Sequence, residues 1–170
     1  IIAQNKFRDE ELLDTQAELK NCEMDIASRT KNPATGMLGA KITPTITLED
    51  AWKKVQSDEY GAVIFVGGSG SVDYFNDQTA LNIARKAFAS NKVKVLASIC
   101  LAGIILANAG VLNGRKATVW DSGDLSNVKH LESKGALFAD NDVVVDGKLV
   151  TASGPHAARF FGQEINGILK

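Results

Sequence analysis

Only two cysteines, two histidines and three prolines occur among the 170 residues, and these shortages exclude several classes of protein. Cys22 and Cys100 cannot build a disulfide framework in a domain of this size, which points to a reducing cytoplasm. The chain has no CxxC, no HExxH and no Cys/His cluster, so no metal site is expected. Charge of one sign is missing too. The net charge of −1 gives no electrostatic case for nucleic acid or an anionic membrane as partner. Gly, Asn or Lys breaks every apolar run well short of a membrane-spanning length. No secretory signal is visible. The chain opens on Ile1-Ile2-Ala3, which reads as the end of a strand, so the first strand is expected to be cut short.

A hydrophobic fraction of 45% fits one domain, residues 1–170, with a full core. Strand-like and helix-like patterns alternate. Glu10–Lys20 carries apolar residues near helical spacing, and Met24–Ala27 reads as a short strand. Residues 33–45 mix Gly36, Gly39 and Pro44 with alternating apolar residues and suggest a bent hairpin. Thr47 is a good N-cap for a helix over Leu48–Val55. Ala62–Val66 and Val93–Ile99 read as buried parallel strands, with a helix around Leu81–Phe88 between them. Lys116–Trp120 reads as a strand and Leu125–Ser133 as a polar helix. Asp146-Gly147 between Val143–Val145 and Leu149–Thr151 is a type I′ hairpin signal. Pro155 then opens the last helix. This alternation predicts an α/β sandwich with a mainly parallel sheet. Right-handed crossovers bring Phe7–Glu11, Gly67–Ser71, Cys100 and Ser153–His156 to the carboxyl edge of that sheet.

Cys100 is the most informative residue. A strand-like run ends on Ser98-Ile99, and a helix-like run begins at Leu101 with no loop between. Ser98 and Ala102, two before and two after, are small. This is the pattern of a nucleophile elbow, in which a sharp turn lifts one side chain above the sheet. A helix starting at Leu101 would aim its positive end at the sulfur and lower the thiol pKa. The alternative is a buried structural cysteine. Gly67 and Gly68 follow a strand, so the N–H of Gly68 with that of Leu101 could form an oxyanion hole. A plain Gly-rich turn is the alternative there. A nucleotide reading is weak, because Asp73 stands where G-x-G-x-x-G requires glycine. Asp9, Glu10 and Glu11 crowd the first helical turn. The helix dipole accounts for two of them, and a third could share a proton with Cys100. His156, at the active edge, is a possible general base or a plain first-turn residue. His130 reads as a solvated surface residue, and Cys22 lies at the opposite edge.

Several segments together resemble the ThiJ/PfpI superfamily. They are F-R-D-E-E-L at 7–12, V-G-G-S-G-S at 66–71, A-S-I-C-L at 97–101, A-G-V-L-N-G-R-K-A-T at 109–118, V-V-V-D-G-K-L-V-T-A at 143–152 and S-G-P at 153–155. They run through nearly the whole chain in family order. The resemblance implies a flavodoxin-like three-layer sandwich, related to the class I glutamine amidotransferase domain, in a homodimer or larger assembly. It makes Cys100 the elbow nucleophile, Glu11 its acidic partner, and Gly68 and Leu101 the oxyanion contacts. Protease-like members carry His directly after the cysteine, whereas this chain has Leu101. The departure favours cofactor-free glyoxalase or deglycase chemistry on a small carbonyl substrate. A redox sensor or holdase, and a peptidase using His156, are the alternatives.

Overall fold

The computed structural model describes residues 1–170. At its centre lies a four-stranded sheet built from β6 (Ala62–Phe65), β7 (Val95–Ile99), β11 (Leu149–Ala152) and β10 (Val143–Asp146). Their order is β10-β11-β7-β6, with β6, β7 and β11 parallel and β10 antiparallel to β11. Every residue of β7 is buried, which is why its sequence reads as an unbroken run of apolar and small residues. Val95, Ala97 and Ile99 face a cluster completed by Phe161 and Ile165, while Leu96 belongs to the larger cluster across the sheet. Helices α1 (Asp9–Glu18) and α6 (Ala158–Leu169) pack together on the first face. Helices α2 (Leu48–Gln56), α3 (Gln78–Ala89), α4 (Gly103–Asn108) and α5 (Ser126–Ser133) follow one another across the second. The expected three-layer α/β sandwich is therefore present. No helix is long and apolar enough to cross a membrane.

Smaller pairings extend the frame. Residues 1–3 run beside β6, where the Val66 N–H donates to the Ile1 carbonyl and the Ile2 N–H to that of Ala27. The ladder expected for a strand end is there, although the first assigned strand is β1 (Asn5–Phe7). The strand expected at 24–27 shifts to β2 (Ala27–Ser28), which pairs in parallel with β5 (Ile46–Thr47). The bent hairpin at 33–45 is β3 (Ala34–Gly36) against β4 (Lys41–Ile42), with β1 parallel to β3. Thr47 caps α2 through a reciprocal bond with Asp50, as its sequence suggests. β8 (Lys116–Ala117) is shorter than expected and pairs with β9 (Leu137–Phe138), a strand the sequence pattern does not signal.

The β10–β11 hairpin differs in one detail. Asp146 pairs with Leu149, so Gly147 and Lys148 are the central turn residues. Gly147 has φ +61° and Lys148 does not have a positive φ, which excludes the type I′ turn. The shift frees Lys148 to reach α3. Its Nζ donates to the carbonyls of Ala87, Phe88 and Ser90, capping acceptors at the C-terminal end of that helix and just beyond it.

Candidate active site

Strand β7 delivers Cys100 in a strained conformation. Ile99 is extended (φ −127°, ψ 144°), and Cys100 then turns to φ +60°. A non-glycine residue in the left-handed region costs free energy that surrounding packing must offset. A 3₁₀ turn over Cys100–Ala102 follows, and α4 starts only at Gly103. The flanking Ser98 and Ala102 are buried, as a tight elbow requires. Gly67 is needed for the same reason. A Cβ there would lie 2.6 Å from the Ile99 carbonyl oxygen, 2.7 Å from Glu11 Oε2 and 2.8 Å from Cys100 Cβ. Gly68 has φ +94°, and its Cβ would collide with the backbone of Arg8 and Lys6. The two glycines thus form a wall on which Glu11 and Cys100 converge.

The three acidic residues at the start of α1 do three different things. Asp9 is buried and accepts from the N–H groups of Leu38 (2.8 Å) and Ala40 (2.7 Å), so it anchors the β3–β4 turn and does more than serve the helix dipole. Glu10 pairs with Arg8. Glu11 has no exposed surface. Its Oε2 accepts from the Gly67 N–H at 2.9 Å, and its Oε1 is buried with no hydrogen-bond partner. Burial pushes this carboxyl up to about 7, even though Cys100 and the Gly67 N–H both favour its ionised form. Ser98 Oγ is a second buried atom without a partner, on the strand leading to Cys100.

The thiol departs from the sequence expectation. Burial, then the charge of Glu11, pushes Cys100 up to about 12, whereas the elbow pattern predicts a lowered value. The N–H groups of Gly68 and Leu101 do act on the sulfur and lower its pKa, but less than burial raises it. The helix that was to supply the field is interrupted: three residues of 3₁₀ turn precede six of α4. Cys100 itself is only 7% exposed, so its anion would be poorly solvated. At neutral pH the resting residue is a thiol beside a carboxyl that titrates.

Phe7–Glu11, Gly67-Gly68, Cys100 and Leu101 are thus brought together. His156 is not. It is exposed, and its Nε2 lies 2.9 Å from Asp142 Oδ1 and 3.3 Å from Ser153 Oγ. His130 is half-buried rather than solvated, with Nε2 2.7 Å from Asn108 Oδ1. Cys22 lies at the amino edge, as expected, where it lines an apolar cavity of about 650 Å³. Its lining includes none of Glu11, Gly67, Gly68 and Cys100. Sequence reasoning missed the Arg8–Glu10 pair. Opposite charges two apart at the start of a helix were the available signal, and only the structure turns them toward each other.

Comparison with known proteins gives the chain's family and fold. The DJ-1/PfpI family model matches residues 1–167. An uncharacterised protein of Methanocaldococcus jannaschii is 42% identical over 97% of this chain and 78% of its own length. A deglycase of Pyrococcus horikoshii is 34% identical over 89% of this chain and 86% of its own. Among solved structures, a ThiJ/PfpI domain protein of Brachyspira murdochii superposes with a TM-score of 0.88. It is 26% identical and covers 99% of this chain and 92% of its own.

Proposed function

Because the chain belongs to the DJ-1/PfpI family, we propose that it is a cofactor-free cysteine enzyme acting on small reactive carbonyls such as methylglyoxal or their adducts. The observation that carries this reading is the fully buried Glu11, one oxygen unpartnered, beside a strained Cys100. A carboxyl raised to about 7 is tuned to exchange protons at neutral pH.

Cys100 sulfur adds to the aldehyde carbon while Glu11 takes the thiol proton. The C=O electron pair becomes an alkoxide, held by the N–H groups of Gly68 and Leu101. Glu11 returns the proton to that oxygen and gives a hemithioacetal. It then moves the hydrogen of the first carbon, as a proton, to the neighbouring ketone carbon, while the hydroxyl proton passes from the first oxygen to the second. This leaves a thioester of a 2-hydroxy acid. Water hydrolyses the ester, so methylglyoxal plus water becomes lactate and the thiol is restored. Resting as a thiol is compatible with this order, because deprotonation accompanies attack. The test is lactate formation from methylglyoxal by wild type, Cys100→Ser and Glu11→Gln. Loss in both variants is expected, and equal rates in all three would overturn the reading.

Redox sensing is the second reading. A protonated Glu11 could donate to an oxygen on an oxidised Cys100 sulfur, and the unpartnered Oε1 supports this. The raised thiol pKa weighs against it, since peroxide attacks thiolate. Mild peroxide should then add two oxygens at Cys100 before any at Cys22, which mass spectrometry reads directly. A peptidase is disfavoured, because His156 is held by Asp142 and Leu101 cannot accept a proton.

A further inference from the structure

Arg8 has no part in the chemistry above, yet the fold builds it into the wall of the site. Its N–H donates to the Gly67 carbonyl at 3.1 Å, and its backbone occupies the space that a side chain on Gly68 would need. Its positive charge acts on both Glu11 and Cys100. The guanidinium is held in a fork: Nε donates to Glu10 Oε2 at 2.7 Å and Nη2 to Glu10 Oε1 at 3.0 Å. Both side chains stay partly open, at 29% and 36% exposed.

A guanidinium has five N–H donors, and this fork uses two. Nη1 and the second hydrogen of Nη2 make no bond to the protein. Glu10 therefore fixes the plane of the group without exhausting it. A fixed, planar, half-open guanidinium is suited to bidentate recognition of a second carboxylate. Glu10 also tempers the charge, so an anion binds by directed hydrogen bonds more than by net attraction.

We infer that Arg8 is a substrate-selecting residue and that the preferred substrate is a small aldehyde bearing a carboxylate. This rests on the reading of Cys100 as the nucleophile. Glyoxylate is the simplest such compound and serves as the probe of binding and addition, since without a ketone carbon it stops at the hemithioacetal. The carboxylate seats on the free edge of the guanidinium, and the aldehyde carbon meets the sulfur. The S–H bond breaks, a C–S bond forms, and the proton passes through Glu11 to the former carbonyl oxygen. Nothing is oxidised or reduced, and the product is a hemithioacetal.

Two alkylating agents test the inference without needing turnover. Iodoacetate and iodoacetamide both transfer a two-carbon unit to sulfur with loss of iodide, and only the first carries a carboxylate. Rates at Cys100 and Cys22 are read separately by mass spectrometry in wild type, Arg8→Met and Glu10→Gln. At Cys100 the iodoacetate-to-iodoacetamide ratio should fall about threefold or more in Arg8→Met, the size expected for losing a partly exposed charge-assisted contact. It should rise in Glu10→Gln, which frees the fork and keeps Arg8. At Cys22 the ratio should not change. Glyoxylate should protect Cys100 from alkylation in wild type and lose that effect in Arg8→Met, while acetaldehyde protects both equally. Unchanged ratios in both variants would overturn the role of Arg8. A Cys100→Ser variant that turned over methylglyoxal at the wild-type rate would overturn the nucleophile reading beneath it. Should Arg8→Met fail to fold, Glu10→Gln decides alone, because it leaves the backbone contact of Arg8 intact.

Discussion

Glu11 and Asp25 are both carboxylates, at opposite edges of one sheet, and they have opposite fates. Asp25 accepts from Lys54 Nζ at 2.7 Å, Tyr60 Oη at 2.7 Å and Thr45 Oγ1 at 3.0 Å. Lys54, then Tyr60, holds it below the usual range for an aspartate. Glu11 is more deeply buried and receives a single N–H. Burial without a full set of partners moves it the other way, to about 7. A carboxylate with every oxygen satisfied is a strut, whereas one left short of partners carries a proton on and off near neutrality. The same chain uses one side-chain chemistry for both purposes, and burial and the partners supplied separate the two.

Four measurements would break or sharpen that contrast. The largest effect is on turnover. Glu11→Gln should lower the rate on methylglyoxal by about 10²–10⁴, the usual share of a positioned acid–base group. Asp25→Asn should leave it within a few-fold, and an equal loss in both would erase the distinction. Stability against pH comes next. Glu11 has a raised folded pKa, so its contribution is complete below its ordinary value of 4.5 and is lost as pH rises through about 7. Glutamine has no proton to lose. Glu11→Gln should therefore be more stable than wild type at pH 8, by up to about 3 kcal/mol, and not at pH 4. Denaturant melts at the two pH values read this, and a gain of the same size at both would contradict it.

The third measurement compares glycines. Gly67→Ala forces a methyl against Ile99, Glu11 and Cys100 and should cost about 1–3 kcal/mol. Gly61, at the amino edge, would place its Cβ 3.8 Å from Leu169 Cδ2, so Gly61→Ala should change the melting midpoint little. The smallest effect is Asp25→Asn itself. Its partners are partly exposed, so the loss should be about 1 kcal/mol or less and should shrink as salt is added.

Local chemistry was the legible part of this molecule. Thr47 with Asp50, the 143–152 hairpin and the Ser98-Ile99-Cys100 elbow each announce themselves within a few residues. Gly147, moved one place in its turn, marks the limit of that approach, since a hairpin pattern does not fix the turn's central pair. What depends on distant packing was hidden. Strands β1 and β9 are three and two residues long, and each is fixed by a partner far along the chain, too short to leave a period of its own. The direction of the Cys100 shift was misread because the helix field is local, whereas burial is set by α1, α6 and the Gly67-Gly68 wall together. His156 sits at the right edge in sequence, but Asp142, fourteen residues earlier, takes up its ring.

The grip of Lys148 on three carbonyls of α3 and the segment after it has a practical consequence. Tight hairpin turns are the customary places to cut, permute or insert tags, since they lie at the surface and connect only their own strands. Here that turn ties the edge strand β10 and its neighbour β11 to the C-terminal end of α3. A linker spliced between Gly147 and Lys148 would loosen that tie, and one at the Gly39 tip of the β3–β4 hairpin would instead disturb the Leu38 and Ala40 bonds to Asp9.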